Sequence, residues 1–149
     1  MSKDAAALYR VRNWEDHYEN HITRKIKHLS WVDTPNKHDG RGFRQLIKQP
    51  DGIALYGAWH IILQVASKMP KRGTLADEDG PLTPEDISDK TGAPADLIRR
   101  ALRACSSPEV GWLEVSATSL SPALTGEQPL ILPVQREINP GTAAESPAM

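Results

Sequence analysis

The pattern of apolar and polar positions from Arg72 to Val115 predicts a short strand, a helix, a tight turn, a second helix and another strand. At about 100° per residue, the second helix has an apolar arc opposite a basic arc. The apolar arc is Leu97, Ile98, Ala101, Leu102 and Cys105, and the basic arc is Arg99, Arg100 and Arg103. A helix that buries one side and turns cations outward is typical of the recognition helix of a helix-turn-helix.

Capping residues mark the ends of both helices. Thr83 is a predicted N-cap, followed by Pro84 in the first turn and by Asp86 in a capping-box position. Gly92 is the predicted left-handed C-cap, and Pro94 opens the next helix. Two helices joined by a Gly-containing turn predict a winged helix-turn-helix, while a helical hairpin with a solvated arginine face remains the alternative.

A longer apolar run begins after Asp51, a predicted N-cap, and extends from Gly52 to Lys68. The few residues that interrupt this apolar run form one narrow stripe, so the pattern predicts a helix that is apolar almost all round and buried in a core. The stripe consists of Gly57, His60, Gln64 and Ser67. The run is shorter than the about 20 apolar residues that cross a bilayer, so we expect no membrane association.

The segment from Trp31 to Pro50 predicts a short strand at Trp31-Val32, a turn-rich loop and a brief helix over 43–48. Its cations lie close together beside two glycines, and they are Lys37, Arg41 and Arg44, with His38. The loop could bind a phosphate, but it lacks the Walker lysine pattern, and a solvated turn is the preferred interpretation.

Three histidines precede this segment at spacings of four and seven, namely His17, His21 and His28. On one continuous helix they would share a face, but no carboxylate completes a metal-binding motif, and we predict no metal site. The same stretch holds a small basic cluster of Arg24, Lys25 and Lys27 that could contact phosphates or only solvate the surface.

Composition predicts three regions: a flexible N-terminus over 1–9, a domain over 10–115, and a tail over 116–149. The tail is rich in Pro and Ser, has no aromatic residue and is predicted to be disordered. Within it, residues 129–134 could add a strand to a sheet or dock on a partner. No secretory signal is apparent and Cys105 is the only cysteine, so we expect a reducing, cytoplasmic setting and an inert core thiol.

Charge is unevenly distributed although the chain is nearly neutral overall. Residues 1–72 hold thirteen Lys and Arg against seven Asp and Glu, whereas residues 73–114 hold four against nine. DNA binding needs a basic footprint, which the N-terminal half must supply. The acidic turn Asp77-Glu78-Asp79 would repel phosphate.

Several stretches resemble phage replication proteins, in particular the N-terminal winged-helix domains of phage replisome organisers and DnaD-type primosomal proteins. The matching stretches are Arg10 to Trp14, Trp31 to Phe43, Gly57 to Trp59, Ala66 to Lys68 with R-G-T-L, L-T-P-E-D-I-S-D-K-T-G, and V-G-W-L-E. The resemblance implies DNA binding or nucleation of a replication complex, often with self-association. Full-length organisers have a second helical domain where this chain has its tail, so the resemblance does not extend to helicase loading.

Two hypotheses follow: a phage-type DNA-binding protein acting in replication initiation or replisome organisation, and a non-enzymatic interaction module whose winged helix mediates dimerisation or assembly. The candidate DNA contacts are Lys90, Thr91, Arg99, Arg100, Arg103, Arg24, Lys25, Lys27, Lys37, Arg41 and Arg44. A homo-oligomer and a replication-protein partner bound through the tail are further expectations. We found no catalytic constellation or cofactor fingerprint, so we expect neither enzymatic activity nor a cofactor.

Overall fold

The computed structural model describes residues 7–116, and its secondary structure is mainly helical with little strand. The helices are α1 (Trp14–His17), α2 (Arg41–Ile47), α3 (Gly52–Ser67), α4 (Pro84–Thr91) and α5 (Ala95–Cys105), with a 3₁₀ turn at Thr23–Lys25. The strands are β1 (Leu8–Val11), β2 (Ala76–Asp77), β3 (Gly80–Pro81) and β4 (Leu113–Ser116). The predicted class, mainly α with a small β component, is confirmed at this level. The predicted tail strand over 129–134 lies outside the described residues.

Helix α3 packs against α5 most extensively, and also against α2, α4 and β1. These neighbours bury most of α3 in the core, as predicted, but they leave one stripe of the helix uncovered. Ile53 is 75% exposed, and Gly57 and Gln64 are exposed on the same side. Ser67, predicted to lie on the polar stripe, is instead buried, and its hydroxyl donates to the carbonyl of Gln64 at 2.7 Å.

The caps of α4 are those that the sequence predicts. The hydroxyl of Thr83 accepts from the backbone N–H of Asp86 at 3.0 Å, and the carboxylate of Asp86 accepts from the backbone N–H of Thr83 at 2.9 Å. Gly92 ends the helix at φ 82°, in the left-handed region that favours glycine. Pro94 is the N-cap of α5 rather than its first helical residue, because its ψ of 130° is still extended.

The sheet joins the two ends of the described chain. Strand β1 pairs antiparallel with β4, from Leu8 opposite Ser116 to Val11 opposite Leu113. On the other side of β1, the N–H of Val11 donates to the carbonyl of Gly73, and the N–H of Leu75 donates to the carbonyl of Tyr9. Residues 8 and 9, predicted to be flexible, are therefore ordered by backbone pairing, and the strand that follows α5 continues one residue into the predicted tail.

The acidic turn forms a small hairpin in which β2 pairs with β3. The extended chain ahead of it contributes only an isolated bridge between Thr74 and Arg10, so the predicted strand before α4 is shorter than expected.

One prediction for the N-terminal segment was wrong. Trp31 and Val32 pair with no strand within residues 7–116, and Trp31 is 74% exposed. The three histidines share no helix, because α1 ends at His17. The side-chain oxygen of Asn20 then accepts from the N–H groups of Ile22 and Thr23, which starts a new turn.

One core cluster extends from Val11 to Leu113 and includes most of the predicted apolar arc of α5. Ile98, Ala101, Leu102 and Cys105 are buried, and Leu97 is partly buried. Burial raises the pKa of the Cys105 thiol to about 12, so the inert thiol that the sequence predicts is consistent with its surroundings. Within residues 7–116, no helix is long and apolar enough to cross a membrane.

Candidate nucleic-acid interface

Arg99 joins the two helices of the predicted helix-turn-helix. Its guanidinium group pairs with Glu85 of α4 and lies 3.8 Å from the carboxylate of Asp96 on its own helix. Exposed pairs of this kind contribute at most about 1 kcal/mol each. They nevertheless give Arg99 protein partners that compete with an external phosphate.

Arg100 is also paired. Its guanidinium group lies 3.1 Å from Asp96 and 3.3 Å from Asp51, the residue that precedes α3. Asp51 occupies the N-cap position of α3, but its side chain makes no capping hydrogen bond, and its φ of 60° is left-handed. Asp51 therefore occupies the predicted N-cap position, but the prediction that its side chain caps α3 is wrong, because the carboxylate pairs with Arg100 of α5.

Arg103 is the most exposed arginine of α5, and it makes no ion pair within residues 7–116. It lines a shallow cavity of about 710 Å³ together with Arg100, Gln45 and Lys48. Gln45 and Lys48 also line a neighbouring cavity of about 210 Å³ with Arg41 and Arg44. The structure thus joins the cations of α2 to those of α5.

We call this surface the α2–α5 basic face, and its cations are Arg41, Arg44, Lys48, Arg100 and Arg103. Glu109 is the one carboxylate residue that lines either cavity. The face therefore has a strongly positive local charge balance, even with Arg100 partly neutralised. Lys48 was absent from the predicted contacts, although its spacing of seven from Arg41 placed it on the same helical face.

A second group of predicted contacts lies in an open groove of about 1120 Å³, here called the Lys90 groove. Its predicted cations are Arg24, Lys25, Lys27 and Lys90, and the structure adds Lys68, Lys71 and Arg72. Nothing in the local sequence pattern indicates that the end of α3 meets the N-terminal cluster, because the contact joins distant segments.

Carboxylates offset much of the charge in the Lys90 groove. It is lined by Glu15, Glu19, Asp77 and Glu78, the last two from the acidic hairpin. Arg24 donates to the carbonyl of Glu15 at 2.8 Å and lies 3.8 Å from the carboxylate of Glu19. The expected repulsion of phosphate by the acidic turn therefore applies to this groove more than to the α2–α5 basic face.

Thr91 and Lys37 line neither the α2–α5 basic face nor the Lys90 groove. The hydroxyl of Thr91 donates to the carbonyl of Ile87 at 2.7 Å and accepts from the N–H of Ala93 at 3.2 Å, so it stabilises the turn between α4 and α5. Lys37 lines a separate pocket with aromatic walls.

This aromatic pocket has a volume of about 240 Å³. Phe43 and Tyr56 lie edge-to-face with centroids 5.0 Å apart, and Trp59 and Trp112 lie 5.2 Å apart. The hydroxyl of Tyr56 and Nε2 of His38 are 2.8 Å apart. Desolvation, with a smaller contribution from the nearby His38, lowers the pKa of His60 on the same wall.

Within residues 7–116, no group of three or more His, Cys, Asp or Glu side chains is placed to hold a metal ion. Comparisons of the chain with protein-family models, with curated proteins and with solved structures find no match.

Proposed function

We propose that this chain is a DNA-binding protein of the helix-turn-helix class, and that it contacts DNA through the α2–α5 basic face. The observation that carries the proposal is the shared lining of the two cavities, which makes one positive surface from α2 and the second helix of the motif. Such a helix can enter a groove while neighbouring cations contact the phosphate backbone.

The proposal divides the three arginines of α5 by their partners. Arg103 has no carboxylate partner within residues 7–116, whereas Arg99 is bound to Glu85 and Asp96. In this proposal Arg103 makes a direct contact and Arg99 holds α4 against α5. Arg100 would exchange its carboxylates for phosphate when DNA binds. Arg41, Arg44 and Lys48 would supply backbone contacts from α2.

The sequence resemblance suggests the biological process in which this DNA binding takes part. Phage replisome organisers use a winged-helix domain in replication initiation, and the stretches that resemble them are spread over about Arg10 to Glu114. We therefore propose a winged-helix protein of phage replication that binds DNA without a chemical step. Contacts by Arg24, Lys25, Lys27 and Lys90 remain a prediction, as does binding of a replication protein through the tail.

Fluorescence anisotropy with labelled duplex DNA tests the proposal. Lys48→Ala and Arg103→Ala should each weaken binding, and each lost phosphate contact should lower the slope of log affinity against log salt by about one. Lys71→Ala is the matched control, since it removes an exposed lysine of the Lys90 groove. Loss of affinity in Lys71→Ala but not in Lys48→Ala would move the DNA site to the Lys90 groove and refute the α2–α5 assignment.

A protein-interaction module is the second candidate, and exposed apolar side chains favour it. Ile53 on the open stripe of α3 and Ile22, Ile26 and Trp31 in the N-terminal segment are exposed. Light scattering over a range of protein concentration tests for self-association. Dimerisation that Ile53→Lys abolishes, together with no affinity for duplex DNA at low salt, would favour this candidate over the first.

A further inference from the structure

The aromatic pocket is lined by several segments that are distant in the sequence. Phe43 comes from α2, Tyr56, Trp59 and His60 come from α3, and Trp112 precedes β4. Its volume of about 240 Å³ lies below the about 300 to 1,000 Å³ of pockets for drug-sized ligands. The pocket therefore suits a single small ring system.

The walls favour a flat, unsaturated ligand. Phe43, Tyr56 and Trp112 are only partly buried, so they retain surface that faces the cavity. Base–aromatic stacking is worth about 1 to 3 kcal/mol per base in proteins that bind single strands. An aliphatic ligand would gain the burial of its surface but no stacking.

The charged side chains that line the pocket determine which ligand charge it favours. Arg12 and Lys37 line the pocket, and no carboxylate residue is among its lining residues. Arg12 donates from Nε to the carbonyl of Gly111 at 2.9 Å, and its Nη1 lies 3.4 Å from Oε2 of the exposed Glu114. Lys37 is exposed and has no ion pair within residues 7–116. Aromatic cages attract cations, but two cationic side chains here would repel one.

His60 gives the pocket a polar edge. Desolvation lowers the pKa of His60, which keeps its imidazole neutral at neutral pH, with one nitrogen a donor and the other an acceptor. Tyr56 is already hydrogen-bonded to His38. His60 can therefore pair with the heteroatoms on the edge of a bound ring.

We propose that this pocket binds a nucleotide, with the base among the aromatic rings and the phosphate beside Arg12 and Lys37. The nucleotide is either a free mononucleotide or an unstacked residue of a single strand, and both present the same base and phosphate. The site is separate from the α2–α5 basic face, because Phe43 of α2 lines this pocket while Arg41 and Arg44 line another.

Quenching of tryptophan fluorescence tests the proposal on the full chain, because Trp59 and Trp112 border the pocket. The probes are adenosine and thymidine monophosphates, a short oligothymidylate, inorganic phosphate and tetramethylammonium. We expect saturable quenching by a mononucleotide or by the oligonucleotide, and whichever binds more tightly identifies the natural source. Lys37→Ala should weaken that binding about tenfold, as loss of a charge-assisted hydrogen bond does.

Phe43→Leu should also weaken nucleotide binding at least about fivefold, because it removes a stacking wall with little loss of apolar volume. Lys25→Ala is the matched control and should leave nucleotide affinity unchanged. Since Lys37 is exposed, its variant stays informative even if Phe43→Leu fails to fold. Lys37→Ala should keep wild-type affinity for duplex DNA, and Lys48→Ala should keep wild-type affinity for nucleotide, so this proposal and the proposed function fail separately.

Three results would overturn the nucleotide site. The first is no saturable quenching by any nucleotide probe, and the second is affinity that is the same in the wild type and in Lys37→Ala. The third is tighter binding of tetramethylammonium or inorganic phosphate than of every nucleotide probe, which would assign the pocket to a simple ion.

Discussion

Replacing Arg72 tests how the segment that carries Lys25 and Lys27 is held against the end of α3. The guanidinium group of Arg72 donates to the carboxylate of Glu19 at 3.1 Å and to the carbonyl of Thr23 at 3.1 Å. It also donates to the carbonyls of Ile26 and Lys27. One side chain thus bonds to four residues of a segment with little regular structure.

Burial increases the contribution of this cluster to the free energy of unfolding. The side chain of Glu19 is 6% exposed and that of Arg72 is 17% exposed. Breaking a buried pair by removing one partner costs about 3 to 5 kcal/mol, because the remaining charge is left without compensation. Arg72 keeps some contact with water, so we expect Arg72→Met to lower the free energy of unfolding by about 3 kcal/mol.

Two variants separate the buried charge from other effects. Arg24 approaches the same Glu19 at 3.8 Å but is half exposed, so Arg24→Ala should cost no more than about 1 kcal/mol. The double variant Arg72→Met/Glu19→Leu leaves neither charge buried. It should therefore regain much of the stability that Arg72→Met loses.

Urea unfolding measures these differences, and limited digestion with trypsin measures local opening. Arg72→Met removes the hydrogen bonds that hold the segment, so cleavage after Lys25 or Lys27 should be faster than in the wild type under native conditions. Equal losses of stability in Arg72→Met and Arg24→Ala, or a double variant less stable than Arg72→Met, would refute the reasoning.

Two further predictions concern glycines and pH. A Cβ at Gly73, whose φ is +87°, would lie 2.6 Å from Cγ of the buried Trp14, so Gly73→Ala should lower the melting temperature. Gly57 lies on the open stripe of α3 and a Cβ there meets nothing within 4 Å, so Gly57→Ala should add about 0.5 to 1 kcal/mol to the free energy of unfolding. Equal melting temperatures for the two variants would contradict this prediction. Burial raises the pKa of Cys105 from 9.0 to about 12, so the unfolded state loses its proton first and the contribution to stability should fall as pH rises through that window. Urea midpoints measured between pH 8 and 11 check the second prediction, and the midpoint of Cys105→Ala should decline less steeply with pH than that of the wild type. The same decline in both proteins would exclude Cys105 as its source. It would then be assigned to groups such as Tyr18, whose pKa is also raised by burial.

The sequence alone determined the features that depend on neighbouring residues. The capping box at Thr83, the left-handed Gly92 and the buried arc of α5 were all predicted, because each follows from helical spacing or from one residue's backbone preference. The helix within Trp31 to Pro50 was also predicted, although the structure begins it two residues earlier, at Arg41.

Only the tertiary structure decided which distant groups meet. It placed Leu8 opposite Ser116, paired Arg100 with Asp51, and left Trp31 and Ile53 exposed. It also separated most of the predicted DNA contacts into the α2–α5 basic face and the Lys90 groove. Periodicity shows which side of a helix is apolar, but not which element covers that side. Partners for charged groups and the grouping of cations depend on that packing, so they followed from the fold and not from the local pattern.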